Sequence, residues 1–467
     1  LARALPIGTA VNDVAACRRR RTEAIDAMSW LLRYRIRHYV RNSIWIVPVV
    51  AMVLAKITVR LVYRLDIAMD WDATLNPETT RAVLGTLAGA MFTFIVFVCS
   101  ALLLVIQLAS AQLTPRVIGP MFRDPVTKVT LAVFVFAFTF TLAAILRVDS
   151  EVPYLTSYIS AFSCAASVAV FLFLVDHVGK ILRPSSVFES VAAQAHDVID
   201  SVYPRRFADA PKPPSQSADV LSEKSARVVD SRRGGVLMAF DLPGLISIAV
   251  RHNCVIELLP QVGNYVAPGA PLYRVYAEAE VPADSLHQSV ALGRERTMEQ
   301  DPAFAFRVIV DIASKGLSPA INDPTTAVLA IDQIHHLLRH VGSRCLEDER
   351  VRDKSGRVRL IYRTPDWEDF VNLAVTEIRQ FGGTSIQIAR RLRAMLEDLV
   401  KAVPEERAVR LHQELRILKQ SAQRFFQDPE DRALADVSDS QGVGGAREVV
   451  AHTGRIGTAV PENTNAP

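Results

Sequence analysis

The sequence predicts a membrane α-helical protein, four transmembrane helices followed by a soluble α+β part in which a small β-rich module precedes a helical domain. Three observations predict it. Half of the 467 residues are hydrophobic while 22% are charged, so the apolar residues are gathered in blocks rather than spread. Four such blocks, at about 44–63, 82–110, 129–146 and 154–175, have the roughly 20 apolar residues needed to cross about 30 Å of hydrocarbon. Beyond residue 183 the pattern changes to short β-prone runs and then to amphipathic helices.

Composition excludes several classes. The net charge of +4 is too small to imply nucleic-acid binding. Cys17, Cys99, Cys164, Cys254 and Cys345 are scattered and odd in number, which supports neither a disulfide framework nor a zinc site. No GxSxG elbow, GxxxxGK[ST] loop or GxGxxG fingerprint occurs, so no catalytic residue and no cofactor is assigned.

Residues 1–27 read as a disordered extension, because Met28 opens a stretch suited to the start of a membrane protein. The four arginines at 18–21 lack the apolar region and cleavage site of an export signal. From 29 to 41, Trp30, Leu31, Tyr34 and Ile36 alternate with Arg33, Arg35, Arg37, His38 and Arg41, a pattern for a helix lying on an anionic lipid surface. The spans follow, within a transmembrane domain of 28–183. The second is long enough that it should tilt or project. A short basic turn with Pro115, Arg116, Arg123, Asp124, Pro125 and Lys128 joins it to the third, and this hairpin organises the chain. Arginines before the first span and in the turn, set against Asp66, Asp70, Asp72, Glu78, Asp149 and Glu151 in the other loops, place both termini in the cytoplasm of a bacterial inner membrane.

Three features of the spans bear on function. Lys56, Arg60 and Arg64 recur every four residues as a basic stripe on the first, read either as snorkelling to headgroups and pairing with Asp66 or as an anion path. Gly85, Gly89, Thr93, Ser100, Gln107 and Ala111 form a small and polar stripe on the second, suited to helix packing or to pore lining. Lys56, Arg60, Thr93, Ser100 and Gln107 are therefore the candidates for a pore or bundle interior. Ser160, Cys164 and Ser167 on the fourth span would partner the second, while Phe134, Phe136, Phe138 and Phe140 would turn the third towards lipid.

In the soluble part, 184–225 reads as a helix opened by Pro184 and then a Pro-, Ala- and Ser-rich linker over 204–224. The β-rich module, 226–283, has runs at 236–238, 255–259 and 272–276, turns at Gly263 and Gly269, and a helix capped by Asp241. It resembles the biotinyl-lipoyl or barrel-sandwich fold without the modified lysine, which implies a docking or assembly role. From 284 to 435 the pattern is helical, with one strand at 358–362. Asp301-Pro302 and Asp323-Pro324 announce helix starts, Gly316 and Gly342 announce ends, and later helices run about 366–381, 385–403 and 405–426. Residues 436–467 read as a disordered tail.

Two long stretches, "SALLLVIQLASAQLTPRVIGPMFRDPVTK" and "EQDPAFAFRVIVDIASKGLSPAINDPTTAVLAIDQI", together resemble the domain of unknown function family 2254, predicted bacterial membrane proteins, across about residues 28–430. The matching residues are Gln107, Ser110, Gln112, Pro115 and Arg116, and then Asp301, Pro302, Ser318, Pro319, Asn322, Asp323, Pro324 and Thr325. The resemblance implies location and architecture, and no activity.

The most polar segment of the soluble part, 299–326, supplies the ligand-binding candidates Asp301, Arg307, Asp311, Asn322, Asp323 and Thr325. Carboxylates beside Asn and Thr suit a cation or a helix-end anion site, and equally suit capping and turn chemistry. Asp332, His336 and His340 recur every four residues beside His335, a chelating spacing read here as a solvated helix face, so no metal is assigned. The basic interval 351–363 lacks aromatic interleaving, which leaves no nucleic-acid partner and a facing membrane surface as the alternative. The expectation is a multipass membrane protein of channel, transport or sensor type with a regulatory soluble domain. A membrane-tethered enzyme or a ligand-binding scaffold is the alternative. The expected partners are the bilayer, further copies of the chain in a homo-oligomer, and a small ion or solute.

Overall fold

A computed structural model describes residues 30–69, 76–117, 119, 123–148, 152–181, 183–209, 226–278, 280–346 and 349–445. The expected extension over 1–27 and most of the 204–224 linker lie outside the described residues. Helix α1 (30–42) leads into four helices long and apolar enough to cross a membrane: α2 (Ile46–Met69), α3 (Pro77–Gln112), α4 (Pro125–Ile145) and α5 (Tyr154–Ile181). Local chemistry sets their starts. Asn76 accepts hydrogen bonds from the Glu78 and Thr79 amides ahead of Pro77, and Asp124 does the same for Thr127 ahead of Pro125.

At 36 residues α3 is about 54 Å long, well beyond the hydrocarbon thickness. It projects as expected, and its end enters the soluble domain, where Leu113 is buried within the helical core. The third span is not lipid-facing. Phe134 and Phe140 are wholly buried, and α4 is the most enclosed of the four. Its neighbours are the other three spans, so Phe134 and Phe140 fill the bundle centre while Phe136 and Phe138 are half-buried: Phe134 meets Phe94 edge-on at 5.1 Å, and Phe140 stacks on its own neighbour Phe136 at 5.8 Å. The fourth span's Ser160, Cys164 and Ser167 are buried, yet Cys164 meets Thr141 of α4, 3.5 Å from Sγ to Oγ1, rather than the stripe on α3.

Asp66 pairs neither with Arg64 nor with solvent. It lies inside α2 and caps α5, accepting from the Leu155 and Thr156 amides at 2.8 and 2.9 Å and from the Thr156 hydroxyl at 2.6 Å. A buried carboxylate on one span thus satisfies the first-turn N–H groups of another.

Beyond the spans the described residues form one small cluster around Ala389, Ala422, Phe426 and Ala435 and two large cores. In one, α6 (Pro184–Val202) packs with α9 (Pro302–Gly316), α10 (Pro324–Gly342), α11 (Trp367–Phe381), α12 (Ile386–Ala402) and α13 (Glu405–Phe425). The expected caps Asp301 and Asp323 each bond the third amide beyond them, with Pro at the first helical position. In the other core, α7 (Leu242–Arg251) and α8 (Ala283–His287) accompany eight strands: β1 (Ala226–Asp230), β2 (Gly235–Phe240), β3 (Val255–Leu258), β4 (Tyr265–Val266), β5 (Pro271–Tyr276), β6 (Val290–Gly293), β7 (Glu349–Arg352) and β8 (Val358–Tyr362). They form a five-stranded sheet, β1-β5-β3-β8-β7, and a three-stranded sheet, β4-β2-β6.

The sheets therefore draw on residues beyond 226–283. β8 pairs in parallel with β3, Ile256 opposite Leu360, so the helical stretch donates an edge to the β-module and the two regions close as one body of secondary structure. Gly263 stands at φ +93°, and a Cβ there would meet the Asp301 carboxylate, so the turn needs glycine on two counts. Of the expected disordered tail, residues 436–445 are ordered, and 446–467 lie outside the described residues. After α14 (Pro429–Ala435), Asp439 accepts from the Gly442 and Gly444 amides, and Arg390 donates to the Val437 and Gly444 carbonyls.

Candidate functional site: a joint between the spans and the soluble domain

Helix α9 begins at Asp301 and carries Arg307, Asp311 and Lys315 at intervals of four, which places all three on one face. That face receives the hairpin. Arg116, in the short 3-10 turn Pro115–Val117 after α3, reaches the Asp311 carboxylate. Arg307 holds the same carboxylate through Nε at 2.6 Å, and forks onto Glu377 of α11 at 2.5 and 2.6 Å. Lys315 donates to the Ser110 carbonyl at 3.0 Å, satisfying a backbone oxygen at the end of α3. Two guanidinium groups and two carboxylates balance. Arg307 hydrogen bonds hold Glu377 below its ordinary carboxylate range, whereas Arg116 is lowered by burial first and then by Arg307 and Arg296.

A second contact runs through α1. His38 Nδ1 lies 3.4 Å from Glu299, Asn42 bonds the other His38 nitrogen at 2.8 Å, and Arg123 donates to Asn42 at 2.6 Å. The phenol of Tyr34 lies beside Glu299 and is pushed well up by burial and then by that carboxylate.

Asp301 sits at the other end of α9. It is 3% exposed, and one oxygen accepts from the Phe304 amide at 3.0 Å while Oδ2 has no hydrogen-bond partner. Burial raises its pKa to about 6, against the opposing pull of Arg296. It lines a cavity of about 130 Å³ between the two soluble cores, together with Ser201, Phe240, Gln261, Tyr362, Arg363 and Thr364. Thr364 Oγ1 is also buried without a partner. Gln300 fixes one wall, exchanging two hydrogen bonds with the Phe240 backbone at 3.0 and 3.2 Å. A larger groove of about 240 Å³ beside β1 is shallower chemistry, since its Arg227 and Glu280 are exposed and pair with each other at 3.0 Å.

The other candidates do not converge with these. Asp323 is occupied by Thr326, through the amide at 3.0 Å and the hydroxyl at 2.5 Å. Asn322 (φ +50°) and Thr325 are exposed on the turn. Lys56, Arg60, Thr93, Ser100 and Gln107 are all exposed on the outside of the single chain's bundle. The face carrying Asp332, His336 and His340 is not simply solvated: Asp332 pairs with Arg391 at 2.7 Å, and His340 with Asp200 at 2.6 Å, while His336 meets His196 at 3.3 Å. In the basic interval, Arg359 is buried against Asp353 at 2.8 Å and is structural.

Sequence reasoning missed Glu377, Lys315 and the partner role of Arg116. The spacing of Arg307, Asp311 and Lys315 was a readable signal of a charged helix face, but nothing local said which turn it would meet.

The chain matches the family described as Predicted membrane protein (DUF2254) over residues 41–398, a range that holds both sides of the joint. It is similar to Uncharacterized protein Rv1290c of Mycobacterium tuberculosis and Uncharacterized protein Mb1321c of Mycobacterium bovis, at 26% identity in each case, covering 94% of this chain and 86% of each relative. No solved structure matches.

Proposed function

This chain belongs to the DUF2254 family of predicted membrane proteins, and from that premise we propose that it is a sensor- or gate-type protein of a bacterial inner membrane, whose soluble domain controls the arrangement of its spans. The supporting observation is the seating of Arg116 in the Asp311, Arg307 and Glu377 network, which ties the hairpin to the helix that starts at Asp301. A ligand or proton arriving at the Asp301 cavity acts at one end of a rigid rod whose side carries the hairpin, so an event in the soluble domain has a mechanical route to α3. Both termini lie in the cytoplasm in this reading, following the bias of basic residues.

The bundle works as a homo-oligomer. The α3 stripe and the basic stripe of α2 both face away from their own chain. A cation near the middle of a span is costly against lipid, so Lys56 calls for a neighbouring copy or a watery path carrying a small ion or solute. The cavity's unpartnered Asp301 and Thr364 oxygens favour a second reading, a ligand-binding scaffold without transport.

Ion and solute flux through the full chain in liposomes tests the first reading, with Arg116→Ala as the uncoupled variant. Flux that changes with pH or ligand in the wild type and not in the variant supports it. An absence of flux under any voltage, tension or pH leaves only the scaffold. Labelling of Tyr265→Cys by an impermeant maleimide from the periplasmic side would overturn the orientation.

A further inference from the structure

Arg123, whose bond to Asn42 belongs to the second contact, and Lys128 stand where the C-terminal end of α1 meets the foot of the third span. Lys128, in the first turn of α4, is only 8% exposed and donates from Nζ to the Arg41 carbonyl at 2.6 Å. Arg123 donates to the side chain of the next residue, Asn42, at 2.6 Å. Two fixed cations are thereby brought to consecutive residues of α1, and the exposed Arg41 adds a third. Among the described residues none of the three makes an ion pair. The adjacent acid, Asp124, is taken by the Thr127 amide and hydroxyl at 2.8 and 2.6 Å and by His177 at 3.2 Å. Glu299 faces Tyr34 and His38. Burial and then Arg41 lower Arg123, against the opposing pull of Glu299 and Tyr34. Two cations held by neutral acceptors, with the exposed Arg41 beside them, leave a surplus of positive charge that Glu299 and Asp124 offset without pairing to it, and that surplus favours a further anion.

We propose that Arg41, Arg123 and Lys128 bind the phosphate of an anionic phospholipid headgroup at the membrane end of α1. The surroundings favour a lipid over a soluble phosphate. Lys128 belongs to a helix long enough to span the membrane, which puts the cluster at the level of the headgroups. Leu32, Ile36, Tyr39 and Val40 along α1 and Trp45 just after it are exposed, and Tyr39 and Trp45 meet edge-on at 6.5 Å, an aromatic pair of the kind that marks the membrane–water boundary. Acyl chains have an apolar surface to lie on directly beside the charge, a combination that free phosphate does not use.

Native mass spectrometry of the delipidated full chain, titrated with phosphatidylglycerol or with phosphatidylcholine of the same acyl chains, tests this. Wild type should retain phosphatidylglycerol about tenfold better, and Arg41→Gln with Arg123→Gln should remove the preference, while Arg35→Gln, exposed on the same helix, leaves it intact. Should the double variant not fold, Arg41→Gln alone, on the exposed side, should still weaken retention several-fold. Equal retention of the two lipids, or an unchanged preference in the Arg41 variants, overturns the site. An equal loss in Arg35→Gln means a diffuse basic surface, and displacement of the lipid by millimolar inorganic phosphate means a soluble-anion site; either result also overturns it.

Discussion

Asp301 and Asp66 show how one residue type does opposite work in two settings. Asp301 is a cap with an unpartnered oxygen and a pKa raised to about 6, so folding favours its protonated form. The stability this contributes is fully present below the unfolded carboxyl pKa near 4 and is lost as pH rises through about 6. Asn caps as well as Asp and carries no charge. Asp301→Asn should therefore match wild type at pH 4 and exceed it at pH 8, by on the order of 2 kcal/mol, in chemical denaturation of the detergent-solubilised protein. A wild type more stable than the variant at pH 8 would mean that the charge is wanted there. Asp66 instead has both carboxylate oxygens engaged, by two amides and a hydroxyl. Asp66→Ala should lower the midpoint of thermal unfolding, with a loss of about 1–2 kcal/mol or more, and Asp66→Asn should fall between wild type and Asp66→Ala, because its amide NH2 cannot accept from one of the donors that the carboxylate serves. The role of Asp301 as a cap was legible from Asp-Pro; its cavity was not, because Gly263, Tyr362 and Thr364 reach it from distant parts of the chain.

The charged side of α9 is the element on which the domains meet, and its contribution should be measurable as coupling rather than as single losses. Arg116→Ala and Asp311→Ala in a double-mutant cycle should show a coupling on the order of 1 kcal/mol, small because the Arg116 side chain is 45% exposed. Glu377→Gln should free Arg307 and increase hydrogen exchange in residues 110–117, whereas an exchange pattern confined to α11 would mean that the network ends within the soluble domain. Helices and strands differ here in how much of them the sequence revealed. Caps and periodicity located α6, α9, α10 and the later helices, and β8 matched residue for residue, since these signals are local. β1, β6 and β7 have little apolar alternation, and the parallel pairing of β8 with β3 joins segments about 100 residues apart, which no local pattern encodes. The third span misled for a related reason. Phenyl rings all round a helix suit lipid and suit the centre of a bundle equally, and only the number of neighbouring helices separates the two.

At the scale of the whole molecule, the second span is the least enclosed helix of the bundle, and its small and polar stripe lies opposite the side that packs on α4. Its hydroxyls are satisfied within the helix, Thr93 by the Gly89 carbonyl at 3.1 Å and Ser100 by the Val96 carbonyl at 2.9 Å, so the stripe presents little unmet polarity and a flat path for another backbone. A Cβ built on Gly85 or Gly89 meets no atom within 4 Å, which separates the two roles these glycines could have. If they served the fold of one chain, replacing them would crowd it; they do not touch it. Gly85→Leu and Gly89→Leu together should thus leave secondary structure and lipid retention unchanged while shifting the protein from oligomer to monomer in single-molecule photobleaching. The same variant should alter any flux that depends on Lys56, because the basic stripe then faces lipid instead of a neighbour. An oligomer of unchanged size would assign the contact to another face, and the basic stripe of α2 would then be the surface to mutate next.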